Sequence, residues 1–133
     1  SPDEVGVLNN YSYYLSLRSE NLHKAEKMIQ KCLKLKGDDP TYLDTYAWVL
    51  FMKKDYRLAK FYMKMAIDSM EQVNPTLYEH YGDILYFLED IDGAVSNWKK
   101  AKEKGLKSEL LEKKINEKQC GKCHITFSLS YLT

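Results

Sequence analysis

The sequence predicts an all-α solenoid: an α-α superhelix of three helix hairpins followed by a C-terminal capping helix. Three observations predict it. The segments NNYSYYLSLRSENLHKAEKMIQKCL, DTYAWVLFMKKDYRLAKFYMKMAI and EHYGDILYFLEDIDGAVSNWKKAK repeat one pattern with a period of 34 to 35 residues. Within each, apolar residues recur at helical spacing, as in Leu43, Tyr46, Ala47 and Leu50, then Tyr56, Ala59, Met63, Ala66 and Ile67. Pro40 and Pro75 open the second and third units, at a helix start where a missing N–H is no loss.

The units span about residues 6–39, 40–74 and 75–105. Each reads as two helices joined by a short polar turn: RSEN, KKD or ED. Asp-Asp-Pro-Thr and Val-Asn-Pro-Thr supply capping groups for the second and third units. Small residues hold equivalent sites: Ser12, Ala47 and Gly82; Ala25, Ala59 and Ala94; Cys32, Ala66 and Ala101. Paired helices approach closely only where one side chain is nearly absent, so each small residue is expected to face a large one. Leu15, Leu50 and Leu85 fill a large apolar site, and one extra residue in the first turn explains the drift between Ser12 and Ala25. The opening SPDEVG reads as the close of a preceding unit, which would make the chain the C-terminal part of a longer array. After the third unit, Leu106, Leu110, Leu111 and Ile115 form one stripe of a capping helix over about 106–119, since a solenoid must cover its last apolar face. The domain is thus residues 1–119, with a tail at 120–133.

The pattern resembles the tetratricopeptide repeat (TPR), a 34-residue helix hairpin with a small–large signature. The matched positions are Ser12/Ala47/Gly82, Leu15/Leu50/Leu85, Leu22/Tyr56/Ile91, Ala25/Ala59/Ala94, Ile29/Met63/Trp98 and Cys32/Ala66/Ala101. Three units in phase, over about residues 6–104, make the resemblance specific. LNNYSYYLSL, PTYLDTYAWVLF and EHYGDILY also look like a bacterial subgroup of long TPR proteins. The chain departs from the pattern at Tyr46, where Leu is usual, and at Lys54 and Glu89, where Gly is common.

The resemblance implies a concave groove lined by the first helix of each unit. It projects Asn9, Tyr13 and Ser16 from the first unit, Asp44, Thr45, Trp48 and Phe51 from the second, and Glu79, Asp83, Tyr86 and Phe87 from the third. Residues at i, i+4 and i+7 share a helix face, so Asp44, Trp48 and Phe51 align, as do Glu79, Asp83 and Tyr86. The peptide-binding residues expected are Asn9, Tyr13, Asp44, Trp48, Phe51, Glu79, Asp83 and Tyr86. This aromatic strip edged with carboxylates suits a basic or amide-rich peptide. Truncating Trp48 is expected on this reading to weaken partner binding more than folding. The carboxylate clamp of other TPR domains needs Lys, Asn and Arg, and the acids here argue against it.

Composition narrows the alternatives. With 20 basic against 19 acidic residues, net charge gives no global argument for nucleic acid. The stretch from Lys99 to Lys122 carries nine lysines against four glutamates, so nucleic-acid binding through the last helix is one alternative. No aromatics interleave those lysines, and a solvated capping helix is the simpler reading. No apolar run reaches the ~20 residues of a membrane span. SPDEVGVLNN lacks the basic-then-apolar pattern of a signal peptide. Three cysteines are not a disulfide framework, and they leave the compartment open.

Cys120-Gly121-Lys122-Cys123-His124 spells a covalent haem attachment site. Haem also needs an enclosing apolar pocket and a further axial ligand or open face. A closed zinc site needs four ligands, and this string offers three. A redox pair belongs at a helix N-terminus, and this one follows a C-terminus. A metal or haem carrier is therefore the alternative, and a tail with no cofactor the reading adopted. In residues 125–133 Ile125, Phe127, Leu129 and Tyr131 alternate with polar residues, which offers a route to self-association. There is no Gly-rich phosphate loop, H-E-x-x-H or G-x-S-x-G. The expected function is a non-catalytic scaffold with a protein or peptide partner.

Overall fold

A computed structural model describes residues 2–19 and 21–120. The described residues form seven helices: α1 (Pro2–Leu17), α2 (Leu22–Leu35), α3 (Pro40–Met52), α4 (Tyr56–Asp68), α5 (Pro75–Phe87), α6 (Ile91–Glu103) and α7 (Glu109–Glu117). None is long and apolar enough to cross a membrane. Consecutive helices pack antiparallel as hairpins α1/α2, α3/α4 and α5/α6, while α1 also packs on α3 and α7 on α6.

The helix starts follow from local chemistry. Asp39 accepts from the Thr41 N–H and Asn74 from the Thr76 N–H, each with proline in the first turn. The second helix of each later hairpin is capped by the acid closing its turn: Asp55 accepts from Leu58 N–H at 3.4 Å and Asp90 from Gly93 N–H at 2.9 Å. Ser108 caps α7 through the Leu111 N–H. Such caps contribute about 1 kcal/mol each. The turns before α4 and α6 need a left-handed residue, filled by Lys54 (φ 69°) and Glu89 (φ 67°). That conformation costs a residue with a Cβ roughly 1–2 kcal/mol. It persists because it lets Asp55 N–H and Asp90 N–H reach back to the carbonyls of Leu50 and Leu85.

One expectation needs correction. SPDEVG is not the close of a preceding unit. Pro2 begins α1 as Pro40 begins α3 and Pro75 begins α5. Residues 2–6 therefore belong to the first helix of the first hairpin, and a proline in a first turn is compatible with the helix that follows.

The small sites lie at the helix crossings. Ala25, Ala59, Ala94, Ala66, Ala101 and Cys32 are fully buried. In the first hairpin Ser12 adds a bond, its hydroxyl donating to the Ala25 carbonyl at 2.7 Å. In the third, Gly82 is the smallest because its opposite is the largest. A Cβ there would overlap the indole of Trp98 and touch the Ala94 carbonyl oxygen at 3.0 Å. The indole is fully buried and tied to Asp83, so it has nowhere to move. Gly82→Leu is therefore expected to destabilise by about 1–3 kcal/mol or somewhat more, despite the ~1 kcal/mol that losing a helical glycine returns. An unchanged melting temperature would refute the alignment that sets residue 82 against Trp98.

Candidate binding groove

The first helices of the hairpins, α1, α3 and α5, carry the expected groove residues. Three differently built stations follow one another along them.

The N-terminal station is open. A cavity of about 440 Å³ lies between α1 and α3, lined by Asn9, Asn10, Tyr13, Tyr14, Leu17, Thr41, Asp44 and Thr45. Asn9 is 5% exposed, and its Oδ1 is buried with no hydrogen-bond partner among the described residues. Burial, then the charges of Asp44 and Glu79, push the Tyr13 hydroxyl well above the usual tyrosine range, so it stays protonated. Ser16 and Thr45 turn back onto their own helices, donating to the carbonyls of Tyr13 and Thr41.

The middle station is packed shut. Trp48 is 1% exposed, with its indole stacked on Phe51 at 4.6 Å and on the His80 ring at 4.1 Å between centroids. Phe51 is equally buried and continues to Phe87 and Tyr56. Tyr86 is half-buried and lies beside Phe87 and Trp98. Trp48 and Phe51, both expected on the groove, are thus buried in an aromatic cluster with His80, Tyr56 and Phe87. His80 was not expected in the site. It is fully buried, its Nδ1–H donates to Asp44 Oδ1 at 3.2 Å, and its Nε2 has no partner among the described residues. Its signal in the sequence was its place next to Glu79, one repeat after Thr45.

The C-terminal station is filled by the chain itself. Lys114 of α7 is fully buried, and its ammonium lies 3.1 Å from Glu79 Oε2 and 2.9 Å from Asp83 Oδ1. Asp83 also accepts from Trp98 Nε1–H at 3.0 Å, and the Cys120 thiol donates to it at 3.6 Å. Burial pulls the Lys114 pKa down, but the Asp83 and Glu79 carboxylates outweigh it, so the ammonium titrates above the ordinary lysine range. No acidic pair in α5 signals a lysine from the capping helix, and the lysine itself looked like part of a solvated face.

Of the other groups singled out in the sequence, Cys120 is buried against Asp83, while Cys123, His124 and residues 125–133 lie outside the described residues. Among the described residues no group of three His, Cys, Asp or Glu side chains could hold a metal. In the lysine-rich stretch, Lys114 is withdrawn from the surface and Lys102 pairs with Glu112. A larger depression of about 580 Å³ runs along α4 over Phe61 and Met65, but it is remote from the three stations and walled by Arg57, Lys60 and Lys64.

The architecture has a close counterpart. The crystal structure of the Sgt2 TPR domain from Aspergillus fumigatus superposes with a TM-score of 0.76 over 86% of this chain and 76% of that one, at 16% identity. The chain folds as a TPR solenoid. At the level of sequence it is 32% identical over 66 residues to the TPR repeat-containing protein PA4667 of Pseudomonas aeruginosa. That match covers 50% of this chain and 11% of that protein. No protein-family model matches the chain. In TPR terms α1, α3 and α5 are the inner helices, so the three stations follow the inner wall of the superhelix.

Proposed function

We propose that the protein is a non-catalytic TPR scaffold that holds an extended peptide or partner segment along the inner helices α1, α3 and α5. TPR relatives support a protein–protein interaction role in general. The observation that carries the finer reading is the open cavity between α1 and α3, where Asn9, Tyr13 and Asp44 line one space. Tyr13 and Tyr86 keep exposed surface and would make the contact, whereas Trp48 and Phe51 hold the wall from behind. Glu79 and Asp83 are occupied by Lys114, so the ligand's footprint is shifted toward α1 and α3.

Selecting peptides from a random library on the purified chain tests this reading. Tyr13→Ala is expected to weaken a selected peptide by about tenfold or more, since aromatic anchors dominate such interfaces. Its melting temperature should fall less than that of Trp48→Ala, because Tyr13 is half-buried at the edge of the core. Peptides that bind Tyr13→Ala as well as the unaltered chain, or a library that yields none, would sink the proposal.

A further inference from the structure

The 35-residue offset makes Asn9, Asp44 and Glu79 equivalent, and likewise Tyr13, Trp48 and Asp83. At the last of these stations the pair Glu79/Asp83 on α5 receives an ammonium group, because α7, which follows α6, delivers Lys114. At the first station the acceptors are in place, and no cation among the described residues is paired with them. Asn9 Oδ1 is buried and unpartnered among the described residues, and it lines the cavity. Asp44 faces the same cavity, and no Lys or Arg among the described residues pairs with it. On its other side Asp44 accepts from His80, which leaves Oδ2 for a second donor.

We propose that the cavity between α1 and α3 is a pocket for the cationic end of a lysine or arginine side chain of the partner, held by Asp44 and Asn9. The inference rests on the groove reading above and adds to it a defined specificity pocket. The walls fit such a side chain. Tyr13, Tyr14 and Leu17 offer apolar surface to its methylene stem, while Asp44, Asn9 and Thr41 offer acceptors at the end. A space of about 440 Å³ accommodates one long side chain without rearrangement. The carboxylate that faces this cavity is Asp44, since Glu79 is paired with Lys114. A buried acceptor left without a donor is unfavourable, and a charged N–H donor would relieve it. Lys114 shows that this surface can bury an ammonium group when two acceptors converge on it.

The test is an amide NMR titration of the whole chain with Nα-acetyl-lysine N-methylamide and with its norleucine counterpart, which keeps the stem and lacks the charge. The lysine derivative is expected to give saturable shifts at the Asn9 side-chain amide and at the backbone of Asp44 and Thr45. Norleucine should bind at least about tenfold more weakly. Asp44→Asn, which retains an oxygen for His80, should abolish the difference between the two. Equal shifts from both compounds, shifts confined to another surface, or none in the unaltered chain would overturn the proposal without relying on any variant. The groove reading fails separately. If selected peptides bind across Tyr13 and tolerate replacement of every Lys and Arg by Gln, the groove stands and the pocket falls. If no peptide binds while the lysine derivative still titrates Asn9, the pocket stands and the groove falls.

Discussion

Lys114→Met is expected to lower stability by about 3–5 kcal/mol, with a fall in Tm of more than about 10 °C for a domain of this size. Methionine matches the length of the lysine stem and fills the same apolar channel, so little cavity is created. What disappears is the one positive charge that, among the described residues, lies within ion-pair distance of Glu79 and Asp83. Both carboxylates are nearly inaccessible to water, so neither can recover its loss by hydration. The intact pair is weak evidence of net stabilisation, because burying three charged groups is itself expensive, but breaking it from one side is not. A triple replacement, Lys114→Met with Glu79→Gln and Asp83→Asn, should therefore recover a large part of the loss. Urea denaturation of the two variants checks this, and a near-neutral Lys114→Met would mean that the carboxylates have another route to neutrality. The pH dependence carries a sign. A lysine whose folded pKa lies above its unfolded value of about 10.4 contributes fully below that value and loses its contribution as pH rises through the folded one. Burial opposes the shift here and the two carboxylates produce it, so Lys114 makes stability fall only in strongly alkaline solution.

The helices were legible because their signals are local. Proline with a preceding Asp or Asn fixes the starts of α3 and α5, and residues at i, i+4 and i+7 mark the covered side of α2, α4 and α6, whereas α3 is buried nearly all round. The small–large alternation was legible too, since three copies in phase give one answer: Gly82 must face something large, and it faces Trp98. What escaped was long-range pairing. Nothing near Lys114 in the sequence distinguishes it from Lys113, yet one is exposed and the other wholly buried. The difference arises because α7 lays only one of its faces on α5 and α6, and the acids that meet that face are 31 and 35 residues away. His80 escaped for the same reason: its partner Asp44 is 36 residues distant. The groove was legible as a set of helical positions. Which of those positions point at solvent depends on how closely the next repeat approaches, and that distance is written in the neighbouring helix.

Trp48→Ala tests that last point with the other large effect. The i, i+4, i+7 alignment of Asp44, Trp48 and Phe51 led to an exposed indole whose loss would weaken binding and spare the fold. The structure puts that indole at 1% exposure, with its two faces against Phe51 and His80. Truncating a fully buried tryptophan typically costs about 3–5 kcal/mol through lost transfer energy and the cavity left behind. Here the loss should spread across the boundary between repeats, because His80 belongs to α5 and Trp48 to α3. In an array whose stability is built from such interfaces, α5 to α7 would then unfold more readily than α1 to α4. Trp48→Phe keeps a ring on the seam and should lose roughly half as much or less. Hydrogen exchange resolved by helix, alongside thermal melting, separates the outcomes. Loss of protection concentrated in α5 and α6 would place Trp48 in the seam. A variant that melts like the unaltered chain but no longer binds a selected peptide would place the indole on the open wall after all, and would make Trp48 and Phe51 anchors of the ligand rather than of the fold.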